Sequence, residues 1–214
     1  MKVWQVLLFL LVLAADIYAI QYGNPSRTIT KPLLLISLIL FSVFNLRGKL
    51  RENIYMLIGM GFALLGDVFL LGGSDVNFML GLSSFLIMQI IYSYVFFKEK
   101  AIGVHKHKWQ VLLVLLVTML FLGYIVPHAG VLSVAVFVYA ITIMAMLIFA
   151  ILRWKVVGYW WVVAGASAFM FSDALLSANK FNGPISNAGI GVMLSYGLAQ
   201  LMICHGFLRG RIKL

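Results

Sequence analysis

The chain has 214 residues, of which 64% are hydrophobic and 10% charged, with a mean hydropathy of +1.07. Such values exclude a soluble domain and identify an integral membrane protein. At roughly 20 residues per crossing the length holds about eight spans and little else, so residues 1–214 are read as one integral-membrane domain. The net charge of +10 does not point to nucleic acid, because the basic residues sit in short loops between apolar runs; anionic lipid headgroups suit that distribution. The single cysteine, Cys204, excludes an intrachain disulfide framework and a cysteine-built metal cluster.

Apolar windows place spans near 4–22, 32–46, 54–71, 78–97, 109–126, 129–152, 157–177 and 187–208. The first, in MKVWQVLLFLLVLAADIYAI, has the basic start and apolar core of a signal peptide. Asp16 and the lack of a small-residue cleavage motif before Tyr22 favour a retained span. Breakers separate the runs at Gly23-Asn24-Pro25-Ser26, Gly72-Gly73-Ser74-Asp75, Pro127 and Asn182-Gly183-Pro184. The pattern predicts an all-α, polytopic membrane helix bundle of about eight transmembrane helices.

Basic residues set the expected orientation. With a cytoplasmic amino terminus, Lys2, Arg47, Lys49, Arg51, Lys98, Lys100, Lys106, Lys108, Arg153, Lys155, Arg209, Arg211 and Lys213 face the cytoplasm, thirteen in all, against three outside: Arg27, Lys31 and Lys180. This bias predicts that both termini are cytoplasmic, in the plasma (inner) membrane if the chain is bacterial.

Two aspartates organise the rest. Asp67 in GFALLGDVFLL and Asp173 in AFMFSDALLSA each lie in an apolar run, where an ionised carboxylate normally faces a protein interior or a wet cavity and marks function. Both spans run outward in the expected topology, with each aspartate about four residues, roughly 6 Å, from the outer end. Two carboxyl groups at one depth can divide a proton between them, one acting as acid and the other as base. The third-in-four placement of G-D-x-x-L-L and S-D-x-x-L-L is as compatible with a duplicated four-helix unit as with chance. The structural reading, in which each carboxylate is merely capped by a neighbouring hydroxyl or amide, is the competing one.

Further polar residues gather around them. Asp16, Lys31, Asn179 and Lys180 fall in the same outer region, the last two in the loop after the seventh span. Phe85, Gln89 and Tyr92 share a face of the fourth span, as do Tyr196 and Gln200 on the eighth. Substrate contacts and plain interhelical hydrogen bonds account equally well for this second set. Tyr139, on the sixth span, carries less weight still. His105 and His107 lie in one loop, His205 near the cytoplasmic end of the eighth span and His128 outside, a scatter that suggests no metal site. No G-x-S-x-G elbow or phosphate-loop sequence is present, and no cofactor is implied.

Taken together, ITKPLLL around Lys31-Pro32, LLGDVFLL around Asp67, GLSSFLIMQIIY, FSDALLSANKF around Asp173 and YGLAQLMI give the chain a specific likeness. It resembles the YhhN family of membrane proteins, which includes the lysoplasmalogenases, over nearly its whole length. Where family members often carry histidine before the x-x-Tyr of the fourth span, this chain has Gln89, so no titratable role transfers to that position. The resemblance implies an eight-helix ether hydrolase that cleaves the vinyl ether bond of lysoplasmalogens, releasing a fatty aldehyde and a glycerophospho-ethanolamine or -choline. Asp67 and Asp173 would then be catalytic, with Lys31 and Lys180 either on the substrate phosphate or anchoring their helices at the interface, and Asp16 a candidate counter-ion for one of them. Paired carboxylates between helices also serve proton-coupled carriers, and a transporter is the alternative from another class. A lipid-binding protein without catalysis is a third.

Overall fold

The computed structural model describes residues 1–99 and 103–211. Lys100 and Lys213 of the charge count, and part of the 98–108 loop, lie outside them. Among the described residues eight helices are long and apolar enough to cross a membrane: α1 (Val3–Gln21), α2 (Arg27–Asn45), α3 (Ile54–Phe69), α4 (Asp75–Lys98), α5 (Lys108–Ile125), α6 (Ser133–Leu152), α7 (Tyr159–Phe181) and α8 (Ala188–Arg209). Among the described residues there is no strand. The protein is an all-α, polytopic integral membrane protein.

Seven helices close a ring in the order α1–α2–α3–α4–α6–α7–α8, and α5 lies outside it against α6 and the edge of α7. The tightest hairpins are α3–α4 and α7–α8, and both depend on glycine, as expected where lipid supplies no hydrophobic drive between helices. On α3, Gly59 receives the ring of Tyr92 and Gly66 that of Phe85; a Cβ at Gly66 would stand 2.8 Å from the Phe85 ring. On the other hairpin, Gly158 has φ +82° and a Cβ there would lie 2.0 Å from the Gly206 carbonyl oxygen, so no other residue fits this approach without displacing backbone. The two hairpins correspond in the four-plus-four division of the chain, and so do the contacts α4–α6 and α8–α2.

At the end of the bundle holding the start of α1 and the end of α8, Arg153 is fully buried, its guanidinium 2.6 Å from Glu99 and facing the Phe96 ring. Arg211 meets the same carboxylate. One acid thus ties the ends of α4 and α6 to the segment after α8, and it neutralises a cation that could not otherwise stay at that depth.

Two helix ends differ from the sequence expectation, and both differences bear on the site. α2 starts at Arg27 and not at 32. Pro32 lies inside the helix, forgoing only the bond to the Thr28 carbonyl. α7 runs to Phe181, past the expected 177. Its extra turn is held by the edge-to-face pair Phe78–Phe181 and by Lys180, 2.8 Å from Asp75. Asn179 and Lys180 therefore belong to the last turn of α7, not to a loop. Asp75, expected in the outer loop, sits in the first turn of α4, behind the Ser74 cap that accepts the Asn77 N–H at 3.1 Å. Asp67 is two residues from the end of α3 and Asp173 eight from the end of α7. That is about 3 Å and 12 Å of helix, so counting from helix ends does not place the carboxylates level.

Candidate functional site

Each aspartate has its own partners. Asp67, 1% exposed, accepts a hydrogen bond from the Tyr196 hydroxyl at 2.7 Å on Oδ2, and Lys31 Nζ stands 3.6 Å from its Oδ1. At that separation the lysine is an ion-pair partner without a direct hydrogen bond. Asp173 accepts the Tyr139 hydroxyl at 2.5 Å and the Gln89 amide at 3.3 Å, both on Oδ2; Gln89 is in turn oriented by Thr142, which donates to its Oε1 at 2.7 Å. The two sets match across the four-plus-four division: each aspartate is met by the second helix of its own half (Lys31, Tyr139) and the fourth helix of the other (Tyr196, Gln89).

No hydrogen bond joins the two carboxylates, so the sequence expectation of one proton divided between them has no direct geometric basis. The ring of Phe85 stands between the clusters. It seats on Gly66 beside Asp67, lies 5.7 Å from the Tyr196 ring, and lines a constriction together with Tyr139 and Asp173.

Three cavities are neighbours, with Phe78 in the lining of all three and Asp173 in that of two. A deep apolar cavity of about 250 Å³, enclosed by α4, α5, α6 and α7, has Tyr139 and Asp173 in its wall. Toward the other end of the site lies a polar pocket of about 350 Å³ with Arg27, Lys31, Asn179 and Lys180 in its lining. Between them a constriction of about 10 Å³ is bounded by Leu70, Phe78, Leu176 and Asp173. Both donors to Asp173 converge on Oδ2. Its Oδ1 accepts no hydrogen bond and is not sealed from open space, unlike Oδ2 of Asp16. Any proton that Asp173 carries is therefore placed on Oδ1, toward the cavity.

The remaining expected residues divide by partner. Asp16 is fully buried and accepts the Thr30 hydroxyl at 2.7 Å, while the charges acting on Lys31 are those of Asp67, Arg27 and Asp16. Asn179 lines the polar pocket, but its Oδ1 is taken by the Ile185 N–H at 2.8 Å, which closes the turn into α8. Tyr92 donates to Gln200 at 3.2 Å, and neither lines the three neighbouring cavities. Sequence reading underweighted Tyr139 and passed over Thr142 and Arg27. Tyr139 and Thr142 stand three apart on an otherwise apolar helix, and Arg27 stands four before Lys31; that helical spacing was the available signal.

Eight apolar helices around hydrogen-bonded carboxylates, with an apolar cavity beside a cationic pocket, define an integral membrane protein with polar groups held inside its bundle. A model of the YhhN family matches residues 26–207, and the chain belongs to that family. Neither the curated proteins nor the solved structures contain a match to the chain.

Proposed function

We propose that the protein is a lysoplasmalogenase-like hydrolase acting on the vinyl ether bond of single-chain ether phospholipids. The observation that carries this reading is the free Oδ1 of Asp173 at the junction of an apolar cavity and a cationic pocket. An alkenyl chain fits the first, a phosphate the second, and the bond joining them falls beside the carboxyl group. Protonated Asp173 gives its proton to the distal carbon of the double bond, leaving an oxocarbenium ion. The carboxylate so formed faces that cation and then takes a proton from the attacking water. Collapse of the hemiacetal releases the aldehyde and the glycerophosphoryl alcohol, with Asp173 again protonated. Tyr139 and Gln89, both on Oδ2, keep Oδ1 as the working oxygen. Asp67 lines none of the three cavities; it holds Lys31 and Tyr196 from behind. Purified protein incubated with a lysoplasmalogen should release free aldehyde, and no aldehyde from folded protein that binds the lipid would overturn the reading.

The headgroup reading gives a second expectation. Lys31 and Lys180 each face a carboxylate already, whereas Arg27 has no carboxylate partner among the described residues. Charge-assisted contacts to phosphate contribute about 1.5–3 kcal/mol, so Arg27→Met should weaken lysophospholipid binding about 10- to 100-fold. Lys180→Met should cost less, since Lys180 is shared with Asp75. An uncharged chain analogue should lose nothing, and equal losses for the two ligands would assign these cations to anchoring at the interface.

Orientation is proposed from charge: termini in the cytoplasm, with the cationic pocket and residues 72–77 outside. In a Cys204→Ser background, Asp75→Cys should react with a membrane-impermeant maleimide added to intact cells. Reaction only from the inner side would invert the placement.

A further inference from the structure

Phe171 on α7 and Val117 on α5 both line the apolar cavity and are also 61% and 48% exposed, so the cavity reaches the outer surface of the bundle. The opening lies between α7 and α5, whose Val117, Thr118 and Phe121 form the facing wall. α5 is the least buried of the eight helices and is fixed mainly along α6. Among the described residues no hydrogen bond or ion pair joins it to α7, and the Thr118 hydroxyl is satisfied within α5 by the Val114 carbonyl at 2.7 Å. Nothing polar must be broken to part the two helices.

The other way in is the less favourable one for a chain. The link between the cationic pocket and the cavity is about 10 Å³, scarcely the space of one water. A hydrocarbon chain threaded through it would also have to leave the bilayer, cross the cationic pocket and lose its apolar surroundings one methylene at a time. The floor of the cavity adds a length argument. From Tyr139, bonded to Asp173, down to Leu147 is eight residues of α6, about 12 Å of helix, less than the roughly 15 Å of a hydrocarbon half-layer. A chain that spans its leaflet does not fit below the carboxyl group and must leave the cavity sideways.

We propose that the gap between α5 and α7 is a lateral portal through which the single hydrocarbon chain of a lysophospholipid enters from the bilayer, its headgroup remaining in the cationic pocket and its tail left in lipid. This rests on the reading of the cavity as a chain site, and the test does not need the vinyl ether. The probe is an ester-linked choline lysophospholipid with a diazirine in the headgroup-proximal half of its acyl chain, photolysed with protein in lipid nanodiscs. Adducts are expected on the cavity-lining segments of α5 and α7 around Val117–Phe121 and Ser167–Ala174. In a Cys204→Ser background, Phe171→Cys carrying a pyrene maleimide should lower adduct yield by about tenfold or more. The same reagent on Leu120→Cys, an exposed position of α5 outside the cavity lining, should leave it unchanged. If Phe171→Cys loses adducts before modification, Val117→Cys on the opposite wall carries the same comparison. Undiminished adducts with the portal cysteine modified, or adducts confined to other helices, would overturn the portal. Adducts at these segments without cleavage of lysoplasmalogen would leave the portal standing and remove only the hydrolase reading.

Discussion

Asp173→Asn is expected to lower lysoplasmalogen hydrolysis by about 10² to 10⁴, the usual contribution of a single acid–base group. The substitution keeps volume, and an asparagine oxygen in the Oδ2 position still accepts from Tyr139 and Gln89. What it removes is the exchangeable proton at the cavity face. The variant should therefore stay folded and bind lysophospholipid normally, so that aldehyde release falls while the binding isotherm does not move. Tyr139→Phe should show a smaller loss, because it removes a donor that orients the carboxyl group and not the proton itself. A folded Asp173→Asn protein with near-normal turnover would take this residue out of the chemistry and leave its network as helix packing.

Asp67→Asn should instead act first on stability. Lys31 is 3% exposed and Asp67 is its nearest counter-charge, so removing the carboxylate strands a buried cation. Breaking one side of such a pair costs about 3–5 kcal/mol. Asp16, still within electrostatic range of Lys31 and with an unpartnered Oδ2, moves the loss toward the lower figure. Thermal unfolding in detergent should show a marked drop for Asp67→Asn and recovery in the double variant Asp67→Asn/Lys31→Met, where no charge is stranded. Hydrolysis should not recover with it, because the double variant also loses a cation of the headgroup pocket. Equal thermal stability of the single variant and the parent protein would mean that Asp67 does not hold Lys31 charged. Since the two aspartates have separate partners, their effects are expected to differ in kind.

Hydropathy alone determined the membrane class and the eight spans, because in hydrocarbon every backbone amide must be satisfied within its own helix. The same rule made Asp67 and Asp173 conspicuous, since a carboxylate in an apolar run is too costly to be incidental. Helical spacing brought out Gln89, Tyr92, Tyr196 and Gln200, and could not tell which of them meet an aspartate; Tyr196 and Gln89 do, while Tyr92 and Gln200 meet each other. Ends of elements were less legible where proline or polar residues continue a helix through tertiary support, as at Pro32 in α2 and at Asn179 and Lys180 in α7. Only the tertiary structure decided that the carboxylates stand in separate networks divided by Phe85, that Asp173 and not Asp67 opens to the cavity, and that Arg27 joins Lys31 in one pocket. Those facts depend on how helices far apart in the chain cross and which face each presents, and hydropathy along a single helix carries neither.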